Sequence, residues 1–551
     1  MLPETLEWSS LWPEFTNGTA PLVFNCDPAL VVWITKHKTF FFRAKDFART
    51  QPLFPALLTC SANDRRHHTE RFRCTGARYV GAGYVSQFVS GGVADGEMLY
   101  VAVSLVRVGK PEYDLLANEP HVFRRGRRPV TAFRVEDFVS SSRDRAILTH
   151  WLANPARDEV ENPLSAYIGR LLPARLREMC ATTPIHSQKH PFASSFQIDR
   201  RLLPDDENGF TFIDLFAGIG GFRMAMQQEG GKCVFASEID DNATRTYMNN
   251  FGVKPFGDIT AGETKAMIPA HFDILCAGFP CQAFSMAGLR QGFDDELQRG
   301  TLYRQIVEIS RHHQPKAIFC ENVKGLLSSA DGQALHIILT EIEGAGYHIV
   351  FDNILNSRNY GVPQNRERLY IVAIRNDLFE IMRQRNIVFP ARPDQIPGNH
   401  ARTLGEVLEE GPVSKSYYLG QQYLNTLIAH RNRHADAGRS GFGYIVRERN
   451  GIAGTLMCGG MGRERNMIHD ENQPDWNPTP HMLGGINDQH LRFLTVREWA
   501  RLQGFPDYFQ VPESIQAGYR QFGNCVTVKT IRAVGRAILN ILNQCEQEVD
   551  A

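Results

Sequence analysis

Residues 211–226, TFIDLFAGIGGFRMAM, decide the fold of this chain. A short apolar run ends in a turn that contains Gly218, Gly220 and Gly221, and a helical pattern follows. Glycines let the backbone turn tightly and approach a ligand, and the following helix presents its N-terminus to that ligand. Because many nucleotide-binding sheets begin with such a strand, turn and helix, the stretch indicates a class of fold more firmly than it indicates a ligand.

The sequence after this stretch repeats the same pattern. Short apolar runs alternate with helical patterns from about residue 209: CVFAS, FDILCAG and AIFCEN are each followed by a helix-like segment. This alternation predicts βα units and a mostly parallel sheet that is covered on both faces. Two later runs, YHIVFDNIL and RLYIVAIR, lie close together and predict an antiparallel edge. We therefore expect an α/β, Rossmann-like fold with a mixed, mostly parallel sheet.

The pattern of apolar runs and helical segments changes on both sides of this region. Residues 1–200 are expected to form an N-terminal extra domain, β-rich to about residue 140 and then helical, which ends in the polar linker TTPIHSQKHPFASS. The alternating pattern stops at about residue 392, and a Gly- and Arg-rich region covers 393–516. A final helical pattern, VKTIRAVGRAILNILNQC, lies within 517–551. We therefore expect domains at 1–200, 209–392 and 393–516, with 517–551 as a closing segment.

The composition excludes several classes of protein. The hydrophobic content of 43% and the charged content of 22% are typical of a soluble globular chain, and no run approaches the ~20 apolar residues that span a bilayer. The N-terminal residues lack a signal-peptide pattern, so we expect a cytoplasmic protein with no membrane partner. The 11 cysteines are scattered singly, without a Cys-x-x-Cys pair. This spacing predicts neither a disulfide framework nor a metal site.

Three predicted strand ends carry residues with useful chemistry. Glu238 follows the second strand, where an acid can bond the ribose hydroxyls of an adenosine, although the helix dipole also favours an acid at a helix start. Cys281 follows the third strand and Glu321 the fourth, so both should face the crevice at the carboxyl ends of the strands. A thiol and a carboxyl that converge there suit attack on a ring carbon with protonation of the neighbouring ring nitrogen. Taken alone, Cys281 would instead be interpreted as an inert core thiol.

The order of these and further motifs resembles that of the C5-cytosine DNA methyltransferases. The motifs are DLFAGIGGF, Glu238, GDI at 257–259, GFPCQAFS, RGTLY, ENV, QNRERLY, RFLTVREWARLQGFP and QFGNCV. Each motif is modest alone, but their order and spacing across residues 209–551 are specific. The resemblance implies an S-adenosylmethionine-dependent enzyme with a catalytic methyltransferase domain at 209–392. It also implies a small target-recognition domain at 393–516, with 517–551 returning to the catalytic domain.

The resemblance implies roles for individual residues. Cys281 should add to carbon 6 of the cytosine, and Glu321 should contact ring nitrogen 3 and the amino group. Arg368, supported by Arg366, should hold the base carbonyl. In the cofactor pocket, Glu238 should hold the ribose, Asp258 the adenine amino group and Ile259 the adenine face. The whole predicted pocket consists of Phe216, Gly218, Gly220, Gly221, Glu238, Ile239, Asp258, Ile259, Pro280, Leu302, Asn524 and Val526.

Two positions depart from the family pattern. Cys525 stands where serine is usual, and Ile239 stands where a tryptophan often stacks on the adenine. We expect these changes to affect cofactor binding, if anything, rather than the chemistry.

The target cytosine must be flipped out, because neither reacting carbon can be reached in a stacked duplex. Residues Ala283–Arg299 form a loop of suitable length to close over it, and water is left to remove the proton from carbon 5.

Sequence choice is expected to lie in residues 393–516, because arginine is the favoured reader of guanine edges. Most of the basic residues are nevertheless expected to contact phosphates, which position the protein without specifying a sequence. The basic residues between 415 and 465 are Lys415, Arg431, Arg433, Arg439, Arg447, Arg449, Arg463 and Arg465. Double-stranded DNA is therefore the expected partner. The chain would act as a stand-alone methylase or as the modifying half of a restriction system, whose endonuclease would share the site without contacting this chain.

Other interpretations compete with this one. Methylation of transfer RNA does not require so large an Arg-rich recognition region, and a non-catalytic DNA-binding protein would not require Cys281, Glu321 and Arg368. The first 200 residues could be a DNA-binding module, a fused nuclease or a protein-contact domain, and they lack the Asp…Glu-x-Lys pattern of common metal nucleases. Two arginine clusters there favour DNA contact, although a solvated surface accounts for them equally. They are Arg65, Arg66, Arg71, Arg73 and Arg78, and Arg124, Arg125, Arg127 and Arg128.

Overall fold

A computed structural model describes residues 135–154, 163–172, 174–183, 209–280, 302–395, 401–438, 443–477 and 484–547, with isolated positions between these ranges. In the first 134 residues it describes only short strands. The chain forms two compact units, Met1–Arg200 and Arg201–Ala551.

The first unit contains short antiparallel strands followed by helices. Its strands are β1 (Leu22–Phe24), β2 (Leu30–Ile34), β3 (Thr39–Arg43), β4 (Gly83–Gln87), β5 (Ser104–Arg107), β6 (Arg124–Arg125) and β7 (Arg128–Pro129). They pair as β1-β2-β3, β4-β5 and β6-β7. The helices are α1 (Ser142–Ala153), α2 (Pro163–Leu171) and α3 (Ala174–Thr182). Ser141 caps α1, because its side-chain oxygen accepts a hydrogen bond from the Asp144 amide at 3.0 Å.

The polar stretch after these helices packs in part, which corrects the prediction that all of it is a linker. His190 and Phe192 are fully buried, and the Phe192 ring meets that of Phe138 edge to face with centroids 5.5 Å apart. Burial lowers the pKa of His190 to about 4, which keeps the imidazole neutral. The prediction was wrong here because it averaged polarity over the stretch, whereas two ring side chains anchor it within the first unit.

A six-stranded mixed sheet forms the centre of the second unit. Its strands are β8 (Thr211–Leu215), β9 (Lys232–Ser237), β10 (Ile274–Ala277), β11 (Ala317–Val323), β12 (Tyr347–Asn356) and β13 (Glu367–Arg375). The order across the sheet is β12-β13-β11-β10-β8-β9. Neighbours from β11 to β9 are parallel, whereas β13 is antiparallel to both β11 and β12. The predicted mixed, mostly parallel sheet with an antiparallel edge is confirmed.

Helices cover this sheet on both faces. All side chains of β10 and all but the first of β8 are buried, and consecutive strand residues point to opposite faces. The helices interspersed with the strands are α4 (Gly221–Gln227), α5 (Asp241–Phe251), α6 (Gly262–Lys265), α7 (Tyr303–His313), α8 (Gln333–Glu343) and α9 (Asn376–Gln384). Asp240 caps α5 by accepting the amides of Asn242 and Ala243, both at 2.9 Å.

The remainder of the second unit is less regular. It contains α10 (Gln421–Asp436), β14 (Met467–His469), β15 (Leu491–Phe493), α11 (Val496–Leu502), α12 (Ile515–Asn524) and α13 (Val528–Glu546). Short 3₁₀ helices lie at Val135–Asp137 in the first unit and at Lys324–Gly332, Ser357–Tyr360, Leu404–Val407 and Lys415–Tyr417 in the second. The closing helix α13 packs against α4, since a Cβ added at Gly535 would lie 2.8 Å from Met226 Sδ. Of the helices in the described ranges, none is long and apolar enough to cross a membrane.

A buried arginine organises this less regular part. Arg492 on β15 is fully buried and donates two hydrogen bonds of 2.8 Å to Glu498 on α11. Its Nε also pairs with Asp470, which follows β14. A buried ion pair is stable only when its charges are hydrogen-bonded. The three side chains therefore hold β14, β15 and α11 together.

Candidate functional site

The turn between β8 and α4 has a left-handed backbone at three positions and is tightly packed at two of its glycines. Gly218 and Gly220 have φ of 55° and 87°, and Phe216 has a φ of 56°, which is unusual for a bulky side chain. A Cβ at Gly220 would lie 2.3 Å from the Phe251 ring, and one at Gly221 would lie 2.6 Å from Val526 Cγ2. Strain of this kind persists where surrounding structure enforces it, and it concentrates at ligand sites.

Glu238 lies beside this turn, at the end of β9. One carboxylate oxygen accepts the Gly218 amide and the other accepts the Asp240 amide, both at 2.7 Å. Each oxygen keeps a lone pair for a further donor. The next residue, Ile239, is an apolar side chain that is 73% exposed. A fixed carboxylate next to an apolar surface and a glycine turn fits the ribose and base of an adenosine.

The other residues predicted for this pocket have different surroundings. Val526 contacts the turn, and a Cβ at Gly278 would lie 3.5 Å from Val526 Cγ1. Asn524 is exposed at the end of α12, and Asp258 is exposed after β9. Half-buried Leu302 and Pro280 flank residues 281–301, which lie outside the described residues. Ile259, which follows Asp258, is only 3% exposed.

A carboxyl and an arginine meet at the ends of β11 and β13. Glu321 Oε1 lies 3.2 Å from Arg368 Nε, and both side chains are largely buried. Burial raises the pKa of Glu321, and the positive charges of Arg368 and Arg366 oppose the rise. Glu321 Oε1 has no hydrogen-bond partner among the described residues. A buried carboxyl with a raised pKa, whose contact with Arg368 is an ion pair rather than a hydrogen bond, is suited to donate a proton to a ligand.

The segment that leads to Cys281 is tied to the same strand end. Asn322, next to Glu321, is buried and donates from Nδ2 to the Phe279 carbonyl at 3.3 Å. β10 and β11 are parallel neighbours, so their carboxyl ends lie at one edge of the sheet. Cys281 itself and the predicted loop Ala283–Arg299 lie outside the described residues. Asn322 was not among the predicted site residues, although its place within the ENV motif was a usable signal.

The Arg366 guanidinium is not free to contact a ligand in this crevice, because it is hydrogen-bonded to backbone carbonyls. Its Nη1 donates to the Leu456 carbonyl at 2.9 Å and its Nη2 to the Cys525 carbonyl at 2.8 Å. Burial, together with the nearby charge of Arg368, lowers the pKa of Arg366 to about 9. Its surroundings are therefore those of a supporting residue rather than of a group that touches a base.

Several basic residues of the predicted recognition region, 393–516, already have partners within the protein. Lys415 pairs with Asp475, and Arg463 pairs with Glu464. Arg447 Nε donates to the Arg465 carbonyl at 2.9 Å. Arg439 lies outside the described residues. Among the residues that are described, no group of three or more His, Cys, Asp or Glu could hold a metal ion.

Comparison with known proteins agrees with this arrangement. The family model "C-5 cytosine-specific DNA methylase" matches residues 210–540. Type II methyltransferase M.HpaII of Haemophilus parainfluenzae is 50% identical over 340 residues, which cover 62% of this chain and 92% of that protein. M.DsaV of Dactylococcopsis salina is 40% identical over 345 residues, covering 62% and 90%. M.HhaI of Haemophilus parahaemolyticus is 36% identical over 341 residues, covering 61% and 96%. Because the family model spans more than half of the chain and includes the whole central sheet, this protein belongs to the C-5 cytosine-specific DNA methylases.

Proposed function

We propose that this enzyme methylates carbon 5 of a flipped-out cytosine in a specific duplex DNA sequence, with Cys281 as the nucleophile. DNA cytosine methylation with S-adenosylmethionine is the activity of the family. One observation carries the assignment of residues. The Glu321–Arg368 pair, with 3.2 Å between its nearest atoms, stands at the sheet edge to which β10 brings the Phe279–Pro280 segment that precedes Cys281.

The chemistry explains why these residue types are needed. Carbon 5 of cytosine is a poor nucleophile until the Cys281 sulfur adds to carbon 6 and Glu321 gives a proton to nitrogen 3. Arg368 holds the base carbonyl and keeps the Glu321 carboxyl in place. S-adenosylmethionine supplies an electrophilic methyl group. The proton on carbon 5 then leaves to water, and the carbon–sulfur bond breaks to return Cys281 as a thiolate. Nitrogen 3 gives its proton back to Glu321.

The cofactor pocket is assigned to the glycine turn and its neighbours. Phe216 and Gly218–Gly221 line the methionine and adenosine, Glu238 bonds the ribose, and Asp258 bonds the adenine amino group. Ile239 supplies the exposed apolar surface for the adenine, since its side chain is far more accessible than that of Ile259. The remaining residues of the pocket are Ile259, Pro280, Leu302, Asn524 and Val526.

The biological setting that we propose is a type II restriction–modification system. The relatives reported above are named type II methyltransferases, and a cognate endonuclease would act on the same DNA site. The match with M.HpaII covers 92% of that protein. At 50% identity over that length, we propose that the two enzymes share a target sequence.

Covalent trapping tests the role of Cys281. DNA that carries fluorine in place of hydrogen at carbon 5 of the target cytosine cannot lose the proton that the final step requires. The parent enzyme should therefore form a DNA adduct that survives denaturation, whereas Cys281→Ala should form none and should not methylate normal DNA. The variant should still bind DNA and S-adenosylmethionine at close to parental affinity. Methylation at near the parent rate by Cys281→Ala would rule out this assignment.

A further inference from the structure

Three buried polar side chains lie close to the start of β13, the strand that carries Arg368. Gln364 and Gln503 are fully buried, and Arg366 is 2% exposed. Gln364 and Arg366 lie in the segment that leads into β13, and Gln503 immediately follows α11. Together they form an inner cluster, in which Gln364 Nε2 lies 3.3 Å from Gln503 Oε1. The catalytic chemistry proposed above uses none of these side chains directly.

The cluster holds the backbone of a loop in the recognition region, residues 453–458. Gln364 Oε1 accepts the Leu456 amide at 3.1 Å, and Arg366 Nη1 donates to the carbonyl of that same residue at 2.9 Å. The loop also pairs with the chain before β13, because the Asn365 amide donates to the Ala453 carbonyl at 2.8 Å. The Thr455 hydroxyl donates to the Asn365 carbonyl at 2.7 Å. Residues 453–458 and the segment that carries Arg366 are therefore constrained to move together.

The same cluster reaches the QFGNCV motif. Arg366 Nη2 donates to the Cys525 carbonyl at 2.8 Å, and Gln503 Nε2 donates to the Phe522 carbonyl at 2.7 Å. Gly523 packs directly on the loop, since a Cβ there would lie 2.5 Å from the Cys458 amide nitrogen. Buried polar groups are costly when a partner is lost. If the loop is displaced, Arg366 must therefore move with it or these hydrogen bonds must break.

We propose that the inner cluster couples sequence reading to the base pocket. When loop 453–458 is seated on the correct DNA sequence, Arg366 fixes the start of β13 and so places Arg368 against Glu321. On an incorrect sequence the loop sits differently, and Arg368 is displaced through the same bonds. Discrimination between sequences then appears in the rate of methyl transfer as well as in DNA binding. This proposal rests on the roles assigned above to Arg368 and Glu321.

The test replaces Arg366 with Lys, which keeps the positive charge but loses the planar fork that spans two carbonyls. DNA with the target site is compared with DNA in which one base pair of that site is changed. For each DNA, the affinity and the single-turnover rate of methyl transfer are measured. We expect Arg366→Lys to lower the rate of methyl transfer on target DNA by about tenfold or more, because this is the effect of losing one good hydrogen bond to a charged group. The affinity for DNA should be nearly unchanged. The ratio of the two rates should move toward one.

Arg375→Lys is the matched control. Arg375 is on the same strand and donates to the Gln314 carbonyl at 2.7 Å, but it has no hydrogen bond to loop 453–458. It should leave the ratio of rates unaltered. Thr455→Val, a milder change, removes one hydroxyl hydrogen bond to the segment before β13 and should shift the ratio in the same direction as Arg366→Lys. Thr455→Ser should restore it, which keeps the test decisive if Arg366→Lys does not fold.

Two outcomes would overturn the coupling. One is an equal fall of both rates in Arg366→Lys with the ratio preserved, as expected of a merely structural residue. The other is a ratio unchanged by Thr455→Val. Neither outcome touches the role of Cys281, because adduct formation on fluorinated DNA is read separately. Calorimetric binding of S-adenosylmethionine shows whether the Cys525 side of the cluster also changes the cofactor pocket.

Discussion

At the scale of single residues, Glu321 combines a buried site with a nearby positive charge. Burial favours the neutral carboxyl and the ion pair with Arg368 favours the carboxylate, and the pKa is raised on balance. The neutral acid therefore survives to a higher pH than an ordinary glutamic acid would allow. This is the form that can protonate nitrogen 3 of the base.

Replacing Glu321 with Gln should slow methyl transfer far more than it weakens DNA binding. An amide can still donate a hydrogen bond but cannot give up a proton, and general acid catalysis is worth about 10²–10⁴-fold. For the parent, the single-turnover rate should fall as pH rises through the raised pKa of Glu321, because the donating form is lost. The Gln variant should lack that fall. An unchanged rate at neutral pH in the variant would remove Glu321 from the catalytic role.

At the scale of elements, the β8–α4 turn allows the effect of side-chain packing on stability to be separated from that of backbone strain. Gly220 and Gly230 have the same φ of 87°, but a Cβ would strike the Phe251 ring at Gly220 and would meet nothing within 4 Å at Gly230. Left-handed backbone costs a non-glycine residue about 1–2 kcal/mol. Gly230→Ala should therefore lose about that much unfolding free energy and retain cofactor affinity. Gly220→Ala should lose more and should bind S-adenosylmethionine more weakly.

Denaturant unfolding and calorimetry of cofactor binding measure both effects. Equal losses in the two variants would show that the turn is required for its backbone angle alone. A loss of cofactor affinity in Gly230→Ala would point instead to a general loosening of α4. The comparison is informative because both glycines flank the same short helix, Gly221–Gln227.

The strands could be predicted from the sequence, whereas the contacts between distant segments could not. The strands from β8 to β13 follow from apolar runs such as ILCA, every residue of which is buried. Contacts between distant segments have no such periodic signal. Nothing in the sequence shows that Arg366 bonds the carbonyls of Leu456 and Cys525, because backbone acceptors are the same at every residue. His190 escaped prediction for a related reason, since burial of one ring depends on partners brought by the fold.

At the scale of the whole molecule, the division at Arg200 and Arg201 separates the N-terminal unit from every motif of the family. We propose that the N-terminal unit adds affinity for DNA more than it adds specificity. The support is the clustering of arginines in its sequence; Arg124 and Arg125 form strand β6, and Arg65 and Arg66 lie outside the described residues. The relatives reported above match about three-fifths of this chain, so they carry no information on this role.

A chain that begins at residue 201 should therefore methylate the same sites as the full chain, and the sites that M.HpaII methylates. Bisulfite sequencing of DNA from hosts that express each enzyme compares the three sets of sites directly. If the N-terminal arginines meet phosphates, replacing Arg65, Arg66, Arg124 and Arg125 with Ala should flatten the salt dependence of DNA binding, since each phosphate contact releases roughly one counterion. The methylated sequence should stay the same. A changed site in the shortened chain would make the N-terminal unit part of the reader, and magnesium-dependent cleavage of DNA by the unit would make it a nuclease.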